Sequence, residues 1–241
     1  MHSKGNTQTS AFRERWNAHF SKPKHNRALR FVIFVMAIFC ISFSIALART
    51  AQLGTSPIAA IPNVMSYALP VLTIGQYQIL MNLLMASTEV VLNKSFRRPV
   101  ELLQMIPACV FGMLVDLNVW LLQGLPVESY AMAWGWCVLS IVILGLGVSI
   151  ELLSDFMTLP GEGIVVSIAM VSQKPFSRCK VGFDLSCVIV AAFISLAVFS
   201  GLVGVREGTV ATALFTGFAV KCWSKLTNRL RVWIPAKPEK Q

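Results

Sequence analysis

The sequence predicts an all-α fold, a polytopic transmembrane helical bundle with about six spans and two short helices that are broken by Gly and Pro. Three observations predict this class. Only 13% of the 241 residues are charged, the mean hydropathy is +0.66, and the apolar residues fall in long blocks. Soluble domains are about 25% charged. The pI of about 9.7 would also suit a soluble nucleic-acid-binding protein, but here Lys and Arg lie between apolar blocks rather than on a polar face.

The expected spans follow the apolar blocks in order. The first, residues 31–48, comes after a polar, basic segment without an A-x-A cleavage pattern, so we expect it to be retained. Its 18 residues rise about 27 Å, against a hydrocarbon core of about 30 Å. The further spans are expected over residues 73–92, 103–123, 131–153, 181–200 and 208–223.

The segment 54–70 is apolar enough to enter a bilayer but is interrupted by Pro57, Pro62 and Pro70. Ser56 is placed to cap a helix that has Pro57 at its first position. We expect a short re-entrant or interfacial helix here. The alternative is a kinked full span, since proline is tolerated in packed membrane helices.

A second short helix is expected over residues 160–173, which are too few to cross a bilayer. Gly161 and Gly163 give its start a flexible turn, and Glu162 lies at the positive end of the helix dipole. We expect this segment, too, to be re-entrant or interfacial.

The distribution of Lys and Arg supports a six-span arrangement. With six crossings, 19 of the 21 basic residues lie on the cytoplasmic side, and only Arg49 and Arg206 lie outside. Both termini are then cytoplasmic. The predicted organisation is a basic cytoplasmic tail, a first transmembrane repeat, a second transmembrane repeat and another basic tail, over residues 1–28, 29–126, 127–225 and 226–241.

The two halves of the chain resemble each other. Gly54 and Gly75 recur as Gly161 and Gly182, each displaced by 107 residues, and the order of long and short elements recurs too. Three crossings per half would make this an inverted-topology repeat. In secondary transporters, paired broken helices of such repeats meet at the substrate site. The alternative is that Gly and Pro only allow close helix packing.

The sequence contains few of the residues and motifs that conventional enzymes use. His2, His19 and His25 all lie in the N-terminal tail, and the cysteines have no CxxC spacing. No phosphate-binding loop, dinucleotide-binding or metalloprotease motif is present. We therefore expect no enzymatic activity, no metal and no cofactor.

Polar residues inside apolar blocks are the candidates for a substrate or ion pathway, because they are costly at membrane depth. Asp116 is either functional, with Lys221 as its counterpart in the other half, or a carboxylate near the aqueous end of its span. Glu162 contacts a ligand or caps its own helix. The candidates are Gly54, Ser56, Pro57, Asn82, Asp116, Gly161, Glu162, Gly163, Asp184, Arg206 and Glu207.

Two further alternatives concern charged pairs. Asp184 lies four residues after Lys180, a spacing that favours an ion pair on one helix face over a functional role. Arg206 either attracts an anion at the mouth of a pore or pairs with a carboxylate.

Three motifs carry a family resemblance. The runs GLVGVREGT at 201–209, LPGEG at 159–163 and GTSP at 54–57 resemble the YczE/YyaS/YitT-type integral membrane proteins of bacteria, over roughly residues 30–225. The resemblance implies a multi-pass protein of the bacterial cytoplasmic membrane. It implies no settled activity and no catalytic residues.

The function expected from these observations is that of a permease-like transporter of a small solute or ion. The alternative is a non-transporting accessory or regulatory membrane protein that acts through a partner docked on its basic tails. Expected partners are the lipid bilayer, anionic lipid headgroups at the tails, a small solute and a second copy of the chain. Nucleic acid is not expected.

Overall fold

The computed structural model describes residues 27–92, 105–154, 156–174 and 176–230, and within these ranges it consists of eight α-helices and no strand. Predictions about the tail 1–26, about Lys94, Arg97 and Arg98, and about residues 231–241 concern positions outside these ranges. The helices are α1 Arg27–Thr50, α2 Pro57–Ala68, α3 Ile74–Leu92, α4 Met105–Leu121, α5 Tyr130–Ser154, α6 Pro160–Ser172, α7 Phe176–Phe199 and α8 Glu207–Leu230.

The predicted all-α class is confirmed, and each predicted apolar block forms a helix. The two short segments are separate helices of 12 and 13 residues, each with proline at its first position. The largest difference is at the last helix, which continues to Leu230 rather than ending at 223. Residues 218–234 contain neither Gly nor Pro, so nothing in that stretch stops the helix when the apolar block ends.

Part of this bundle suits a membrane environment. Among the described residues, three helices are long and apolar enough to cross a bilayer, namely Ala28–Thr50, Tyr130–Ser154 and Arg178–Phe199. Large apolar side chains also lie on the outside of the bundle; Phe193 is 74% exposed and Phe218 is 66% exposed. Lipid is the solvent in which such a surface is stable. The chain is therefore a helical membrane protein.

The helices of the first half, α1–α4, interlock with those of the second half, α5–α8. The long helices α1 and α5 pack against each other at the centre. The short helix α2 packs against α7, and the short helix α6 packs against α3. Each short helix therefore contacts a long helix of the other half, and the ends of both short helices come to the same region.

A glycine sets the central contact between α1 and α5. A Cβ atom on Gly147 would lie 2.7 Å from Cγ1 of Ile41, which is closer than carbon atoms approach. Ile41 and Ile45 of α1 belong to one buried cluster with Leu144 and Val148 of α5. The lack of a side chain at 147 lets the two backbones come together, as small residues do in membrane helices.

Candidate functional site

A cavity of about 50 Å³ lies between the two halves, where α2 and α6 begin. We call it the central cavity. All eight described helices or the residues that cap them contribute to its lining. Its polar lining residues are Ser56, Gln78, Asn82, Glu151, Glu162, Lys180, Asp184 and Thr216.

Both short helices present their N-termini to the central cavity. The capping residues are Ser56, with φ −63° and ψ 150°, and Leu159, with φ −64° and ψ 149°. Each is followed by a proline, which fixes φ and has no N–H to satisfy. The predicted cap position of Ser56 is confirmed, but its hydroxyl makes no capping hydrogen bond within the described part of the chain. The positive ends of two helix dipoles therefore lie at one cavity.

A buried ion-pair cluster forms one wall of the cavity. The ammonium Nζ of Lys180 lies 3.0 Å from Glu162 Oε1 and 3.0 Å from Asp184 Oδ1. The pair of Lys180 with Asp184 has the predicted helical spacing, and Glu162 joins it from α6. The three side chains are 9% exposed or less. Lys180 thus joins α7 to α6 through Glu162, while Asp184 pairs with the ammonium from the same helix.

Glu151, at the end of α5, is the functional candidate that sequence reasoning missed. The sequence places it within about a turn of the cytoplasmic end of its span, where pairing with nearby Lys and Arg is expected. Instead it is buried, and its Oε1 accepts a hydrogen bond of 2.7 Å from the backbone N–H of Leu159. It thereby fixes the chain just before α6 and adds a third carboxylate to the cavity. The available signal was a carboxylate that follows 21 residues of apolar helix with small residues along one face.

Four buried polar atoms on the cavity wall lack a hydrogen-bond partner among the described residues. They belong to side chains that are 6% exposed or less. Leaving such an atom unpaired costs about 1–3 kcal/mol, so buried polar atoms in native sites normally bond to protein, water, an ion or a ligand. The atoms are Gln78 Oε1, Asn82 Nδ2, Glu151 Oε2 and Glu162 Oε2.

The two halves face the cavity through equivalent positions. Gln78 and Asn82 are four residues apart on α3, and Lys180 and Asp184 are four residues apart on α7. Each residue of the first pair is 102 residues before its counterpart in the second. One half therefore contributes two amides where the other contributes an ion pair.

The starts of the short helices show nearly the same register. Pro57 and Pro160, both first helical residues, are 103 apart. This differs from the 107-residue displacement of the glycines. Gly54 precedes its proline by three residues, and Gly161 follows its proline directly, so these two glycines do not occupy equivalent positions.

Asp116 does not reach the central cavity. Its carboxylate accepts hydrogen bonds from the Thr73 hydroxyl and, at 2.8 Å, from the backbone N–H of Gly75. Both donors lie at the start of α3, so Asp116 caps that helix from α4. Its described partners do not include Lys221, the counterpart that the sequence suggested in the other half.

Gly163, another predicted site residue, has a packing role. A Cβ atom at this position would overlap the carboxylate of Glu89 on α3. The glycine therefore lets α3 approach the first turn of α6. Of the remaining candidates, Ser56, Pro57, Asn82, Gly161, Glu162 and Asp184 come together at the cavity.

Gly54, Arg206 and Glu207 lie elsewhere. Gly54 has φ +111°, and a Cβ atom there would overlap the Thr209 hydroxyl. It lines a second opening together with Arg206, while Glu207 pairs loosely with Arg206 at 3.7 Å. The predicted site is therefore divided between two places.

Comparison with known proteins identifies the family of this chain but assigns it no activity. The profile of a family described as a family of unknown function (DUF6198) matches residues 28–225. The uncharacterized protein YyaS of Bacillus subtilis (strain 168) is 24% identical over 205 residues, which are 83% of this chain and 95% of YyaS. These matches confirm the YyaS-type resemblance. No solved structure matches the chain.

Proposed function

This chain belongs to the DUF6198 family, whose function is unknown. From the central cavity, we propose that the protein is a permease-like membrane transporter of a small solute or ion. One observation carries the proposal. Two proline-initiated helices, one from each half, begin at a buried cavity where four polar atoms lack hydrogen-bond partners among the described residues. Secondary transporters bind substrates and ions where the broken helices of two repeats meet.

The lengths of the helices support an inverted repeat around this cavity. At about 1.5 Å per residue, α2 rises about 18 Å and α6 about 20 Å, less than a hydrocarbon core of about 30 Å. We propose that these two helices enter without crossing, and that the other six helices cross. Each half then has three crossings, so the second half enters from the opposite face of the bacterial cytoplasmic membrane.

The charges of the cavity favour proton coupling. Its lining holds three carboxylates and one ammonium, a formal excess of two negative charges in an apolar surrounding. Such an excess is costly inside a membrane, and binding a positive charge relieves it. A proton needs only a single carboxylate as its site. We therefore propose that Glu151, Glu162 and Asp184 exchange protons as the substrate moves.

The small volume indicates which state of the cycle this is. A water molecule occupies about 30 Å³ in the liquid, so a cavity of about 50 Å³ holds one or two waters or a small ion. An organic solute needs more room. We propose that this conformation is occluded and that the halves move apart around α2 and α6 when a solute enters.

Transport in liposomes tests the proposal. Full-length protein is reconstituted into vesicles that contain a pH-sensitive dye, and a bacterial small-molecule extract is added with a proton gradient of either direction. Mass spectrometry of the washed vesicles identifies accumulated solutes, and the dye reports the accompanying proton movement. We expect at least one solute to accumulate above the level in protein-free vesicles.

Variants separate the cavity from a general leak. We expect Glu162→Gln and Asp184→Asn to abolish the gradient-driven uptake while the proteins still fold. The matched control is Glu128→Gln, because Glu128 is an exposed carboxylate outside the cavity. No accumulation by the wild-type protein in either gradient, or equal uptake by the cavity variants, would show that the proposal is wrong.

A further inference from the structure

A second opening of about 260 Å³ lies at the surface, and we call it the arginine cleft. It is lined by Arg49, Gln52, Gly54, Asn63, Tyr67 and Arg206, with residues 202–204. Its two arginines come from different halves of the chain, one from the end of α1 and one from the segment before α8. They are also the two basic residues that the charge distribution separates from all the others.

Neutral groups hold the guanidinium of Arg49. Its Nη1 donates hydrogen bonds to Asn63 Oδ1 at 2.8 Å and to Ser66 Oγ at 2.9 Å, and its Cζ lies 4.7 Å from the centre of the Tyr67 ring. Within the described ranges, no carboxylate forms an ion pair with Arg49. Its positive charge is thus uncompensated. Three of its five N–H donors remain for a ligand.

Arg206 is held by a backbone carbonyl in a similar way. Its Nη1 donates to the carbonyl oxygen of Gln52 at 3.2 Å, and Gln52 has φ +58° in the turn that follows α1. The pair with Glu207 is long, at 3.7 Å, and both side chains are more than 40% exposed. An exposed pair of this kind neutralises little charge.

Asn63 fixes the two sides of the cleft relative to each other. The side chain is 2% exposed, accepts from Arg49 and donates from Nδ2 to the carbonyl oxygen of Gly204 at 2.8 Å. Gly204 has φ +77°, which a side chain would strain. One buried amide therefore connects Arg49 to the loop that carries Arg206. These hydrogen bonds hold the two sides of the cleft in a fixed arrangement.

We propose that the arginine cleft binds a small oxyanion, a carboxylate or phosphate group, between Arg49 and Arg206. Guanidinium groups match these anions because their N–H donors form a planar fork. A volume of about 260 Å³ is below the range of about 300–1,000 Å³ for sites of drug-sized ligands, so the anion is small. The oxyanion is either a soluble molecule or the headgroup of a phospholipid.

The position of the cleft gives this anion a role in transport, and this step rests on the proposed function. Helix α2 contributes Asn63 to the cleft and Pro57 to the central cavity, about 9 Å apart along its axis. In the six-span arrangement the cleft opens on the extracytoplasmic side. It then captures an anionic substrate before the substrate reaches the cavity.

Thermal unfolding of the full-length protein in detergent tests binding without any need for transport. Inorganic phosphate and succinate are titrated at constant ionic strength, with chloride as the balancing anion. We expect a saturable rise of the melting temperature with at least one of them. Arg206→Gln and Arg49→Lys should weaken the apparent affinity at least tenfold, because each removes guanidinium donors.

The matched control is Lys221→Gln, which removes an exposed cation from α8, 15 residues after Arg206 and outside the lining of the cleft. It should bind as the wild-type protein does. Arg206 is exposed, so its variant keeps the test informative if the Arg49 variant does not fold. A second arm of the experiment places the protein in nanodiscs of phosphatidylglycerol or phosphatidylcholine. If phosphatidylglycerol alone stabilises the protein, and Arg206→Gln loses this stabilisation, the oxyanion is the headgroup of a lipid.

The proposal is overturned if neither soluble anion nor phosphatidylglycerol stabilises the protein, or if Arg206→Gln responds as the wild type does. Anion binding without uptake in vesicles would reject the proposed transport function but not the proposal that the cleft binds an oxyanion. Uptake of cations or neutral solutes only, without anion binding, would reject the cleft and leave the transport function intact.

Discussion

Replacing Lys180 with methionine removes the one positive charge that the described residues place on the wall of the central cavity. The ammonium lies 3.0 Å from a carboxylate oxygen of Glu162 and 3.0 Å from one of Asp184, and it is nearly buried. Removing one partner from a buried ion pair costs about 3–5 kcal/mol, because it leaves an uncompensated charge. Here two carboxylates lose their partner, so we expect the cost of Lys180→Met to be at least in that range.

The buried thiols of the protein provide the assay. Cys137, Cys179 and Cys187 are buried and free, so a dye that fluoresces on reaction with thiols reports unfolding on heating. For a chain of this size, each kcal/mol corresponds to about 2–4 °C in melting temperature. The loss of about 3–5 kcal/mol therefore predicts a fall of about 6–20 °C for Lys180→Met in detergent.

Two further variants show whether charge is the cause. Lys221→Met removes an exposed lysine and should shift the melting temperature by less than about 2 °C. Adding Glu162→Gln and Asp184→Asn to Lys180→Met removes the uncompensated charges and should recover most of the loss. A single Lys180→Met variant that melts within about 2 °C of the wild type would refute the assignment of a buried ion-pair cluster.

Four more outcomes follow from described contacts. Gly147→Ala should destabilise by about 1–3 kcal/mol in the same thermal assay, because its new Cβ meets Ile41 at 2.7 Å. Gly217→Ala, where no described atom lies within 4 Å of the new Cβ, should instead stabilise by about 0.5–1 kcal/mol. Asp116→Asn should lower stability by about 1 kcal/mol through the weakened cap of α3 and leave uptake in vesicles unchanged. Glu151→Gln keeps an oxygen for the Leu159 N–H, so its melting temperature should stay within about 3 °C of the wild type while proton-coupled uptake falls at least tenfold. A loss of uptake with Asp116→Asn, or full uptake with Glu151→Gln, would contradict the assignment of these two carboxylates.

The helices were predictable because their ends are marked in the sequence. Apolar blocks bounded by Gly, Pro and charged residues determine where helices begin, and Pro57 and Pro160 start the two short helices as predicted. Part of the cavity followed from the same reasoning, since the residues around those prolines line it.

The rest of the site depends on which helix face turns inward, and a local pattern does not contain that information. Glu151 lies near the end of an apolar helix, where a surface pair and a buried bond to Leu159 fit the sequence equally well. Asp116 looked like a pathway residue because of its depth, whereas its partners come from the start of α3, some 40 residues earlier. Both outcomes are set by tertiary packing.

The matching positions of polar residues in the two halves could not be found from the sequence for a different reason. Gln78 and Asn82 correspond by position to Lys180 and Asp184, but amides and charged side chains do not align by identity. The abundant glycines, 15 in all, supplied matches at another displacement. The similar placement of these two pairs at the cavity was therefore visible in the positions of the helices rather than in the identity of the residues.

The exchange of short helices between the halves has a consequence for biosynthesis. Helix α2 is completed early in translation, but α7, the long helix it packs against, begins about 120 residues after α2 begins. Helix α3 can cover part of its buried face earlier, but until then the part that packs against α7 has no partner in the nascent chain. Neither half can reach its final form alone, so residues 1–126 and 127–241 expressed as separate chains should persist in cells only when they are produced together.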